Sequence, residues 1–168
     1  MNIAKIPNKI LNFIINFHCL LLIIKMESKN FQNSKFPKLT VDAIIKKNNS
    51  VVLIKRKNEP YKNFWALPGG FVEYNETVEH AVIREAREET GLDVKILKLT
   101  GVYSKAGRDP RGHTVSVVFL CSVAGGNLRA DTDACDVSEF NINSLKELKL
   151  AFDHERILKD VFISKKSN

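Results

Sequence analysis

Residues Gly69–Leu92 read GGFVEYNETVEHAVIREAREETGL, a glycine pair followed by an amphipathic run that changes character halfway along. Thr77 suits a helix N-cap, because its hydroxyl accepts from an amide of the first turn. Glu79 suits the positive end of the helix dipole. The spacing predicts a helix over Val78–Thr90, stopped by Gly91, the residue type that best tolerates the left-handed cap. At ~100° per residue, Val78, Ala81 and Val82 share a face with Glu85, Glu88 and Glu89. An inward-looking apolar stripe thus turns acidic in its last two turns. Carboxylates at i,i+3 and i,i+4 repel, and these stand where the helix dipole disfavours anions. Two local rules broken in one place point to a functional site. A divalent cation repairs both, and hard carboxylate oxygens suit Mg2+ or Mn2+. Arg84 is an internal ion-pair partner. The alternative is a charged surface helix, partly neutralised by Arg84 and Arg87.

Upstream, Leu39–Lys47 (LTVDAIIKK) and Val51–Lys57 (VVLIKRK) read as strands joined by a polar turn. Asn58–Asn63 contains Pro60 and reads as a loop, Gly69–Gly70 as a break, and Phe71–Val72 as a short strand. Downstream, Val94–Ser104 and Thr114–Ala124 read as strands around the polar loop Lys105–His113 (KAGRDPRGH). Asp136–Ile142 reads as another strand, followed by helices over Leu145–Leu150 and about His154–Ser164. The order β-β-β-α-β-β-β-α is not a regular βαβ alternation. The expected architecture is an α/β (α+β) fold: an α/β/α sandwich with a mixed central sheet.

The chain has 168 residues, 26 Lys+Arg against 19 Asp+Glu, and a formal net charge of +7. The excess sits in the flanks. Residues 1–36 carry Lys5, Lys9, Lys25, Lys29 and Lys35 against Glu27, and the tail carries Lys165 and Lys166. Residues 37–163 are nearly neutral, so the charge is not a nucleic-acid footprint. The expected organisation is an extension over 1–36, one domain over 37–163 and a basic tail over 164–168. Ile10–Ile24 is apolar but shorter than the ~20 residues of a membrane-spanning helix. Lys5 and Lys9 resemble a signal peptide's start, yet no small-residue cleavage site follows. Translation from Met26, a membrane anchor and a packing segment all remain open. Cys19, Cys121 and Cys135 lack metal-site spacing and fit thiols of a reducing cytoplasm.

Gly70, Glu76, Arg84–Glu89, Gly91 and Leu92 stand in the frame G-x5-E-x7-R-E-U-x-E-E-x-G-U, with U a bulky aliphatic. The stretch resembles the Nudix box at every fixed position. Ala86 departs from it, being apolar but small at the first U. The resemblance covers about residues 38–163. It implies a Nudix α/β/α sandwich with a loop–helix–loop motif, hydrolysing nucleoside diphosphates linked to another moiety. It puts metal binding on Glu85, Glu88, Glu89 and the Gly69 carbonyl. It makes Gly70, Glu76, Arg84 and Gly91 structural, with Glu76 and Arg84 in a salt bridge. Glu85 or Glu88 is the expected general base. Asp133, in the loop Asp131–Asp136, is the candidate for an extra catalytic group, and Glu155 a weaker one.

The loop after the box bears on the substrate. Arg108 and Arg111 carry guanidinium forks suited to phosphates, Asp109 can accept from ribose hydroxyls, and His113 can donate to either. Trp65, Phe64 and Tyr103 are available to stack on a base. Val102–Phe119 (VYSKAGRDPRGHTVSVVF) resembles short prokaryotic ADP-ribose pyrophosphatases, and also ligand-sensing domains of NAD-metabolism regulators. Pro110 lies where the ADP-ribose subgroup carries a proline. The expected activity is Mg2+-dependent cleavage of ADP-ribose to AMP and ribose 5-phosphate. A mutator-type nucleoside triphosphatase and a non-catalytic ADP-ribose sensor are the alternatives. The resemblance admits a homodimer. A cytoplasmic enzyme with a small-molecule nucleotide substrate, neither bound to nucleic acid nor held by a membrane, is the expected whole.

Overall fold

A computed structural model of the chain describes residues 36–130 and 134–163. The chain divides into two units, 1–36 and 37–168, and the elements below belong to the second. Ile10–Ile24, Met26, Asp133 and the tail 164–168 fall outside the described residues.

Strand β1 (Lys38–Lys47) organises the sheet. Its side chains alternate, so Val41, Ala43 and Ile45 enter one core cluster and Ile44 enters another. One edge of β1 pairs in parallel with β6 (Thr114–Gly126), from Lys38↔Thr114 to Lys46↔Ser122. The other edge is shared. Ile45–Lys47 pair antiparallel with β2 (Ser50–Arg56), whereas Thr40–Asp42 pair antiparallel with β4 (Gly69–Phe71). Between those partners, the Ala43 amide donates to the Pro68 carbonyl at 2.8 Å. β2 continues antiparallel to β3 (Trp65–Ala66) and to β7 (Ala134–Asn141). β5 (Leu92–Tyr103) lies antiparallel outside β6. The result is a seven-stranded mixed sheet with the path β3-β2-β1-β6-β5.

Helix α1 (Val78–Thr90) buries Ala81, Val82 and Ala86 against Val41, Ala43 and Ile45. The Thr77 hydroxyl caps it by accepting from the His80 amide at 3.2 Å. Helix α2 (His154–Phe162) and a 3-10 turn (Ile142–Glu147) cover the other face, where Leu145, Ile157 and Leu158 meet Ile44, Val51 and Leu53. Each fully buried Ile or Leu contributes about 1.5–3 kcal/mol. The layers are those expected of an α/β/α sandwich.

Two local expectations differ. The turn at Ile142–Glu147 replaces a helix over Leu145–Leu150. The Asn141 side chain accepts from the Asn143 amide at 2.9 Å and starts the turn early. The backbone of Lys149–Ala151 is then spent on Trp65: the Trp65 amide donates to Lys149, and the Ala151 amide to Trp65. The glycine pair is not a break but lies inside β4, where Gly70 lets the Glu85 side chain of the helix layer approach. Among the described residues, no helix is long and apolar enough to cross a membrane.

Gly91 caps α1 at φ 71°, and a Cβ there would lie 2.5 Å from the Asn127 carbonyl oxygen. Gly91→Ala is expected to destabilise the fold by more than about 1 kcal/mol, through both strain and clash. A urea titration checks this by a lowered midpoint at unchanged slope, and an unchanged midpoint would contradict it.

Candidate active site

The loop before α1 is tied to the helix by one guanidinium. Arg84 Nε and Nη2 donate to the two oxygens of Glu76 at 2.8 and 2.9 Å, and Nη2 also donates to the Phe71 carbonyl at 3.1 Å. Its Nη1 donates to Glu85 at 2.9 Å and to Glu88 at 3.1 Å. The fork from Arg84, helped by the Glu73 amide, holds the Glu76 carboxyl down at about 2. Arg84 is in turn held well above its ordinary value, first by Glu76. The expected Glu76–Arg84 bridge is therefore present, and Arg84 also spreads charge over two of the three helix carboxylates.

The glycine pair sets the other side. A Cβ on Gly70 would lie 2.3 Å from Glu85 Oε1, so the missing side chain is where that carboxylate sits. The Gly69 amide donates to Glu89 Oε2 at 2.8 Å. Burial pushes the Glu85 carboxyl up, against the opposing hydrogen bond from Arg84. Burial pushes Glu89 up to about 8, with the charges of Glu85 and Asp42 adding to it and the Gly69 amide opposing. Glu88 is exposed.

Arg84, Glu85 and Glu89 line a cleft of about 400 Å³ together with Arg108, Asp109 and Arg111, whereas Glu88 is not in its lining. Across it, Asp109 is buried and accepts from the Arg111 amide at 2.9 Å and from its Nη2 at 2.8 Å. Burial acts to raise the Asp109 pKa, but these bonds outweigh it and hold the carboxyl below its ordinary range. Arg111 lies 5.6 Å from the ring centre of Phe71 and 5.2 Å from that of Phe152. Arg108 has its guanidinium committed to Asp153 at 2.6 and 3.0 Å and to the Thr114 hydroxyl at 3.2 Å.

Other candidates stand elsewhere. His113 pairs with the Ser104 carbonyl at 3.0 Å and does not line the cleft. Trp65 packs edge-on against Phe140 at 4.6 Å, and Phe64 packs against Tyr61. The Tyr103 hydroxyl donates to Asp160 at 3.2 Å, and Glu155 pairs with Lys159. The cleft instead contains Asp42, Phe152 and His154, which sequence reasoning missed. Asp42 left one signal, a lone acid inside the apolar strand LTVDAII. Ser116 donates its hydroxyl to Asp42, and His154 Nε2 lies 3.5 Å from it.

The donor set fits a hard divalent cation. Glu85, Glu88 and Glu89 offer only carboxylate oxygens, and burial, which pushes the Glu85 and Glu89 carboxyls up, disfavours their charged forms until a cation balances them. Among the described residues, no ready cluster of three acidic, His or Cys side chains converges on one point. Arg84 draws Glu85 and Glu88 aside, and the Gly69 amide draws Glu89.

The Glu76 pKa gives a signed prediction. Its folded value of about 2 lies below the ordinary 4.5, so its stabilisation is complete above pH 4.5 and is lost as pH falls through 2. Glu76→Gln is expected to melt lower than wild type at pH 7, with the gap narrowing below pH 4.5. Circular-dichroism melts check this, and equal melting temperatures at pH 7 would contradict it.

The family model for the NUDIX domain matches residues 36–161. The chain is 53% identical over 139 residues to the ADP-ribose pyrophosphatase of Methanocaldococcus jannaschii, covering 83% of this chain and 81% of that protein. It is 33% identical over 144 residues to the ADPR responsive transcriptional repressor NtrR of Acinetobacter baylyi, covering 79% of this chain and 56% of the repressor. A bifunctional NMN adenylyltransferase/ADP ribose pyrophosphatase from Francisella tularensis, complexed with AMP and a Mn ion, superimposes with a TM-score of 0.71 at 30% identity. The overlap covers 88% of this chain but only 45% of the Francisella protein. The NUDIX domain of Shewanella oneidensis NrtR, complexed with ADP ribose, gives a TM-score of 0.68 at 26% identity over 80% of this chain and 95% of that one. Domain match, sheet topology and the forked loop–helix together make this chain a member of the Nudix hydrolase family.

Proposed function

We propose that the protein hydrolyses ADP-ribose to AMP and ribose 5-phosphate with Mg2+, or Mn2+ in its place. One observation carries the reading. Glu85 and Glu89 of the carboxylate helix line one cleft with Arg111, in a chain 53% identical to a protein named ADP-ribose pyrophosphatase. Glu85, Glu88, Glu89 and the Gly69 carbonyl would hold the cation. When bound, it neutralises the diphosphate and acidifies a water. Glu85 or Glu88 takes the proton of that water. The water oxygen bonds to one phosphorus as the bridging P–O bond breaks, and the bridging oxygen leaves with the other phosphate. Arg111 has its Nε and Nη2 held by Asp109 and would meet a phosphate with its remaining Nη1. Asp133 is proposed as a further acid from its loop. Arg108, held by Asp153, shapes a wall of the site, whereas His113 and Trp65 stand outside its lining. The same reading places the protein in the cytoplasm, as a monomer or a homodimer.

A second reading is binding without turnover, favoured by the likeness to NtrR and to the ADP-ribose complex of NrtR. The box weighs against it, since every acidic position is filled.

A substrate panel decides. With Mg2+ or Mn2+, chromatography is expected to show AMP released from ADP-ribose faster than product from nucleoside triphosphates, and a chelator is expected to stop it. Glu85→Gln and Glu88→Gln are each expected to lower kcat/KM about 10²- to 10⁴-fold, with little change in melting temperature. ADP-ribose bound in calorimetry but left uncleaved would establish the sensor instead.

A further inference from the structure

His154 opens helix α2 and is almost fully buried. Its Nδ1 accepts from the Leu67 amide at 2.9 Å, and its Nε2 lies 3.5 Å from Asp42 Oδ1. A ring nitrogen that accepts carries no proton, so the ring proton is assigned to Nε2, facing Asp42. Burial favours this neutral form. The charged groups around the ring are Asp42, Asp153, Arg108 and Arg56, and the Phe152 ring lies 5.4 Å away.

The two partners bracket Gly69. Leu67 precedes it by two residues, and Asp42 is its cross-strand partner in the β1–β4 register. Gly69 has no slack, since a Cβ there would lie 2.1 Å from the Val41 carbonyl oxygen. Its amide donates to Glu89 on α1, the helix that packs on the other face of the sheet from α2.

We infer that His154 is a positioning residue for hydrolysis: its imidazole spans Leu67 and Asp42, and so fixes where the Gly69 amide meets Glu89. The kinetic part of this inference rests on the proposed hydrolase reading, and the geometric part does not. The contact that matters most is the one at Nδ1, a direct hydrogen bond. The longer Nε2 contact orients the ring.

Two substitutions separate the nitrogens. In His154→Asn the amide oxygen can take the place of Nδ1 and keep the Leu67 bond. In His154→Gln the longer amide reaches toward Asp42 and leaves the Leu67 amide unpaired. Amide hydrogen exchange, melting temperature, kcat and KM are read for both. His154→Gln is expected to speed exchange at Leu67 and Gly69 by about tenfold, as loss of one hydrogen bond does. It is expected to lower kcat by about 10- to 100-fold with KM within about threefold, the signature of misplaced groups. His154→Asn is expected to stay close to wild type in both. Kcat within about threefold of wild type in both variants would overturn the inference. So would faster exchange spread evenly over β1 and β6, which marks a merely structural role. If wild type releases no AMP, the hydrolase reading fails alone, and localised exchange at Leu67 and Gly69 still decides the role of His154.

Discussion

The backbone of Gly70 runs so close to the Glu85 side chain of helix α1, and that of Gly69 so close to β1, that neither position has room for a side chain. A Cβ on Gly70 would fall inside the Glu85 carboxylate, and the Gly69 amide is the direct partner of Glu89. Everything else about the site depends on that approach. It exists because β1 splits its free edge between β2 and β4, which brings the glycine strand to Thr40–Asp42 instead of letting β2 run the full length. The carboxylates are thereby half-buried against backbone. Their pKa values rise, and a cation has a reason to bind.

Arg84 makes this arrangement tolerable in the protein alone. Three carboxylates at the C-terminal end of a helix repel one another and oppose the helix dipole. One guanidinium reaches Glu76, Glu85 and Glu88 together and also holds the Phe71 carbonyl, so the loop and helix move as a unit. On the far wall, the Asp109–Arg111 pair does the equivalent for a positive charge. The buried carboxylate fixes a guanidinium that also lies beside the rings of Phe71 and Phe152.

Much of this was legible in the residues. The helix Val78–Thr90 and its Gly91 stop follow from capping chemistry and period, and both stand in the structure as read. The Glu76–Arg84 pair follows from the box resemblance. The rest was illegible because it depends on which strands meet. Nothing local shows that Asp42 faces His154, since they are brought together by the β1–β4 pairing and by the start of α2. Arg108 reads as a phosphate ligand because its guanidinium fork suits an oxyanion, but Asp153, far along the chain, takes that fork. Trp65 beside the glycine pair looked like a stacking platform, yet the backbone of Lys149–Ala151 pins it against Phe140. The turn at Ile142–Glu147 escaped helix periodicity because a side-chain cap at Asn141 starts it and the Trp65 bridge ends it.

The close approach of Gly70 positions the Glu85 carboxylate, and Gly70→Ala removes the room for it. Gly70 is not in the left-handed region, so the added methyl brings no left-handed backbone strain, and its nearest atoms all belong to the Glu85 carboxylate. The measurement is the rate of AMP release from ADP-ribose at saturating Mg2+, with a melting curve on the same preparation. The expected rate is at least about 100-fold below wild type, the scale of a catalytic group displaced by an ångström, in a protein that still melts cooperatively near the wild-type temperature. A variant that hydrolyses ADP-ribose within a few-fold of wild type would contradict it.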